Sequence, residues 1–123
     1  MKPPANPVTV EDAAKFAGYI TTWQAKLNLN DWRILPGGKV TKGNCADISI
    51  SVPDHCAVYR LGAHFGSEAV TDHALESTAV HELLHVICAE YRDVVLQKPG
   101  DDLVNAAEHR IVHTLERLLV PKP

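Results

Sequence analysis

The chain has 123 residues, 46% of them hydrophobic and 22% charged, with a formal net charge of −3. That is enough chain for one hydrophobic core but not two, and the composition is ordinary for a globular domain. The charge balance gives no basic footprint for nucleic acid, no apolar run is long enough to span a bilayer, and MKPPANP carries no signal-peptide core.

Residues 1–8 read as a proline-rich extended arm, poorly ordered. Thr9 and Asp12 form a capping-box pattern, with Asp in the usual Glu/Gln place, that opens a helix to about Leu27. Phe16, Ile20, Trp23 and Leu27 recur at three- and four-residue spacing and make that helix's core face. Asn28 to Asp31 break it. Trp32 to Leu35 form a short strand closed by Pro36-Gly37-Gly38. Ala46, Ile48, Ile50 and Val52 then alternate with Asp47, Ser49 and Ser51, the pattern of a half-buried strand. Pro53-Asp54 turns the chain into a third strand over 57–65, with His64 near its end expected to face solvent.

Thr71 or Asp72 caps a long helix over about 73–96, which carries His81-Glu82-Leu83-Leu84-His85. Histidines at i and i+4 lie about 40° apart on one helical face, so both imidazoles can reach one metal ion. Glu82 sits about 100° round from His81, beside a metal and not on it, where its carboxylate can take a proton from water. Ala79, Leu83 and Val86 give this helix an apolar back. Two histidines buried there without a ligand would need hydrogen-bond partners that the local sequence does not supply.

Lys98 to Asp102 form a turn, and a closing helix runs from about 102 to 119, stopped by Pro121. The expected fold class is α+β: one helix, a small three-stranded mixed sheet, the HELLH helix and a C-terminal helix, in one domain over 1–123. The three cysteines, Cys45, Cys56 and Cys88, include no C-x-x-C pair and read as free thiols of a reducing, cytoplasmic compartment.

A catalytic zinc has three protein ligands and an open position. Downstream candidates for the third are Glu108, His109 and His113. Val104, Ile111, Val112, Leu115 and Leu119 all lie within about 60° of Glu108 on a helical wheel. Glu108 therefore projects from the apolar face, where an ionised carboxylate is costly unless paired or bound to a cation. His109 and His113 lie about 100° and 140° away, on the side expected to be wet. Glu108 is the favoured ligand on this reading. A donor for the developing oxyanion is also needed; Tyr91, His109, His113 and Tyr59 are candidates, with His109 first because it adjoins Glu108.

HELLH with a glutamate 23 residues beyond His85 on the next helix resembles the gluzincin metallopeptidases, in particular their small forms, the minigluzincins, and small phage-encoded metallopeptidases. The stretch KLNLNDWRI is similar to the opening of SprT-like zinc proteases, whose third ligand is a histidine. The gluzincin resemblance implies Zn²⁺ held by His81, His85 and Glu108, with Glu82 as general base in hydrolysis of a peptide or protein substrate. It departs from many gluzincins at Val112, where an acid often orients a histidine. A zinc-stabilised binding module without hydrolytic activity is the alternative reading.

Overall fold

The computed structural model describes residues 5–38, 45–95 and 102–123. Three helices and three strands follow in the order α1 (Val10–Lys26), β1 (Arg33–Pro36), β2 (Ala46–Ser51), β3 (Cys56–Leu61), α2 (Asp72–Val95) and α3 (Asp102–Leu119). The α+β class expected from the sequence is what is found. The turn expected at Lys98 to Asp102 lies largely outside the described residues.

The local signals are realised in detail at α1. Thr9 Oγ1 accepts from Asp12 N, and Asp12 Oδ2 accepts from Thr9 N, closing the capping box. At the other end Asn28 takes a positive φ of 58°. Its N–H bonds to Ala25 O and that of Leu29 to Gln24 O. This is a Schellman ending, with asparagine tolerating the left-handed conformation where glycine is commoner. Phe16, Ile20 and Trp23 are buried along the face their spacing marks.

The sheet has the order β1-β3-β2, with β1 parallel and β2 antiparallel to the central β3. Register places Ile34 beside Ala57, Ile50 beside Ala57 on its other side, and Ile48 beside Tyr59. These residues form one face, which packs into a core shared with Phe16, Ile20, Leu75, Leu83 and Val112. Strand β1 lies one residue later than its hydrophobic run suggests, because Gly37 N still donates to Tyr59 O at 2.7 Å. A Cβ on Gly37 would stand 2.8 Å from both Arg60 Cγ and Val58 Cγ1, so only glycine lets the strand leave the sheet there.

Strand β3 ends at Leu61, not at 65. Gly62 N still donates to Cys45 O at 2.7 Å, and residues 63–65 then pair with the N-terminal arm. Val8 N donates to Ala63 O, and Phe65 N to Asn6 O. Residues 5–8 are thus tied down by main-chain bonds, which the proline-rich composition conceals; residues 1–4 lie outside the described residues. His64 is exposed, in a bridge opposite Pro7.

Helix α2 packs against α1, α3 and β2. It starts with Thr71, whose Oγ1 accepts from Ala74 N. No helix among the described residues is long and apolar enough to cross a membrane.

Candidate metal centre

Strand β2, one of the two edge strands of the sheet, faces α2 and α3 across a cleft of about 640 Å³. His81, Glu82 and His85 line it from α2, and Asn105, Glu108, His109, His113 and Glu116 from α3. The helices run antiparallel, so the histidine pair on one meets a four-four-three series of polar residues on the other, Asn105, His109, His113 and Glu116.

The two HELLH histidines present Nε2 to Nε2, 3.3 Å apart. Each has its other nitrogen on a carboxylate: His81 Nδ1 is 2.7 Å from Glu116 Oε1, and His85 Nδ1 is 2.6 Å from Glu108 Oε2. A carboxylate accepts only, so each Nδ1 carries the proton. In the neutral tautomers this leaves two Nε2 lone pairs facing one another, an arrangement that a proton or a metal ion between them relieves. Ligands at about 2.0–2.1 Å on a tetrahedral ion stand about 3.3–3.4 Å apart, which the observed separation matches. A carboxylate behind each ligand imidazole is also the common outer partner of metal-bound histidine. On both counts the residues fit zinc.

The third position follows from what Glu108 does. Its Oε2 is taken by His85 Nδ1, on the edge of the ring remote from the Nε2 pair, and its Oε1 lies 3.2 Å from Arg92 Nε. The expected ligand therefore stands behind the histidine. His109 stands in front: one ring nitrogen each from His81, His85 and His109 lie within 4.8 Å of one another. Its ring centre is 5.0 Å from that of His85 and 5.7 Å from that of His81. His109 is exposed, as the wheel suggests, but the water it faces is the water of the cleft. A second set, His81, His113 and Glu116, has ligand atoms equally close. Glu116 is there engaged with His81 Nδ1, so this set competes with the pairing that orients His81.

Burial dominates the electrostatics. Glu82 is only 6% exposed, and desolvation lifts its carboxyl from 4.5 to about 7 against the pull of His81. Burial likewise lowers His85, with the charges of His81 and His109 acting the same way and the Glu108 bond opposing. For His81 burial is again the largest influence and lowers it, but the Glu116 bond and the charges of Glu82 and Glu116 together raise it. A proton held by the pair is thus favoured on His81, whose Nε2–H then donates to His85 Nε2. A metal ion would replace that proton.

Glu116 and Arg92 join the site without a sequence motif to mark them. Arg92 Nη2 donates to Asn105 Oδ1 at 2.7 Å while its Nε faces Glu108, so it ties α2 to α3 beside the site. Glu116 was legible only as a member of the Asn105, His109, His113 series. Of the other residues weighed as donors, Tyr59 is buried in the core against Phe16, and Tyr91 is 66% exposed and does not line the cleft. Comparison with protein-family models, curated proteins and solved structures finds no match.

Proposed function

We propose that the protein is a zinc-dependent metallopeptidase whose ligands are His81, His85 and His109, with Glu82 as general base. The observation that carries this reading is the Nε2–Nε2 pair at 3.3 Å with a carboxylate behind each ring. A purely structural zinc takes four closed protein ligands and has no use for an adjacent base. Here three histidines meet at an open cleft, and Glu82 lines it without being one of them.

Zinc bound there supplies Lewis acidity toward a water molecule and toward the carbonyl of a substrate. The remaining work belongs to the chain. Glu108 and Glu116 hold the two α2 imidazoles with Nε2 unprotonated and facing the cleft. Glu82 takes the proton of the attacking water and returns it to the departing amine nitrogen. Strand β2 is an edge strand beside the histidines, against which an extended peptide can add as a further strand.

This assignment replaces the glutamate ligand of the gluzincin pattern by a histidine and casts Glu108 as the residue that orients His85. The ligand set is then that of the SprT-like pattern. The test is to measure hydrolysis of a quenched-fluorescence peptide library together with zinc content, for the wild type and for Glu82→Gln. The reading expects full zinc in both proteins and a loss of at least about 10²-fold in turnover in the variant. Equal turnover in the two would contradict it.

A further inference from the structure

Hydrolysis of an amide needs a hydrogen-bond donor for the carbonyl oxygen as charge develops on it. Resting on the peptidase reading, we propose that His113 is that donor, a catalytic residue of the same centre distinct from the metal ligands. His113 lies one helical turn beyond His109 and so projects on nearly the same side of α3. Its ring stands 4.8 Å from that of His81 and 5.9 Å from that of His109, inclined at only 26° to the latter. It lines the cleft with its side chain 51% exposed.

His113 has its hydrogen-bonding capacity unspent and is not one of the three proposed ligands. Its Nδ1 is 3.8 Å from Glu116 Oε1, too long for a hydrogen bond, and neither ring nitrogen has a hydrogen-bond partner among the described residues. Several other groups that line the cleft are engaged. Arg92 is held by Asn105 and Glu108, the Ser77 hydroxyl donates to Ala74 O, and His109 is needed as a ligand. At 3.8 Å the Glu116 carboxylate forms no hydrogen bond that would hold the proton on His113 Nδ1. The tautomer protonated on Nε2 presents its N–H on the opposite edge of the ring, toward substrate.

In the step assigned to it, the water oxygen bonds to the carbonyl carbon and the C=O π pair moves onto oxygen, while the water proton passes to Glu82. His113 stabilises that oxygen by donating a hydrogen bond and transfers no proton. When the C–N bond breaks, the pair returns from oxygen and the nitrogen takes the proton from Glu82. An acid and an amine leave.

The experiment compares wild type, His113→Ala and His113→Gln, each zinc-loaded, in zinc stoichiometry, steady-state peptide hydrolysis and affinity for a phosphonamidate dipeptide, whose tetrahedral anion imitates the reacting carbonyl. His113 is exposed, so neither substitution opens a cavity in the core. The expectation for His113→Ala is one retained zinc, a kcat lower by about 10²-fold with KM nearly unchanged, and a similar loss of phosphonamidate affinity. His113→Gln keeps an N–H donor and should recover part of both. Loss of zinc in His113→Ala would make the residue a ligand, and a raised KM with unchanged kcat would make it a binding contact; either overturns the proposal. Wild-type zinc protein that neither cleaves peptides nor binds the anion would instead remove the peptidase reading beneath it.

Discussion

Glu82 is buried beside His81 with its carboxyl raised to about 7, and that displacement has consequences for stability as well as chemistry. Below pH 4.5 the group is protonated in both folded and unfolded chains and contributes nothing to the difference. Between 4.5 and 7 the unfolded chain releases its proton while the folded one keeps it, so stability falls as pH rises. Above 7 the full cost is present, about 3 kcal/mol at about 1.4 kcal/mol per unit. Metal-free Glu82→Gln should therefore be more stable than metal-free wild type at pH 8, by up to about 3 kcal/mol, with the gap closing toward pH 5. Urea unfolding in chelator at the two pH values measures it; a gap independent of pH would mean that Glu82 is not desolvated. A bound cation favours the ionised carboxylate, so zinc should recover part of this cost and leave the base deprotonated at neutral pH.

At the scale of the elements, α3 is fastened to α2 by charge as much as by packing. Glu108, 8% exposed, bonds His85 and faces Arg92, and Arg92 in turn bonds Asn105. Seen in the sequence alone, a carboxylate on the apolar side of α3 would be a liability without metal. With these partners it is the reverse. Glu108→Ala leaves His85 Nδ1 without its acceptor and removes the charge beside Arg92, and should destabilise the protein in chelator by about 1–3 kcal/mol. A melting temperature in chelator equal to or above that of wild type would show that the network contributes nothing. The milder Glu108→Gln keeps an acceptor oxygen for His85 and should weaken zinc binding by about 10–100-fold without abolishing it, the effect expected of an outer partner. Competition with a chelator dye reads that affinity.

Over the whole molecule, what was legible in the sequence was local. The Thr9 capping box, the Phe16, Ile20, Trp23 stripe, the alternation from Ala46 to Val52 and the HELLH helix each depend on neighbours within a turn or a strand, and each is where the pattern puts it. The parallel pairing of β1 with β3 and the tie between residues 5–8 and 63–65 join distant segments through main-chain bonds, which side-chain patterns do not encode. The face of α3 was ambiguous for a sharper reason. The wheel separates an apolar side from a polar one, and Glu108 and His109 fall where it says. It cannot say that the polar side looks into a cleft rather than bulk solvent, because that depends on how α3 is rotated against α2. Glu108 and His109 are adjacent, so the choice between a glutamate and a histidine ligand turns on about 100° of that rotation.

Whether three histidines hold a zinc ion is decided by the zinc content, by elemental analysis, of protein purified without a metal-binding tag. The wild type should carry one equivalent per chain. His109→Ala, prepared in the same way, should carry little or none. Less than half an equivalent in the wild type, or zinc retained in full by His109→Ala, would show that these three histidines do not hold zinc.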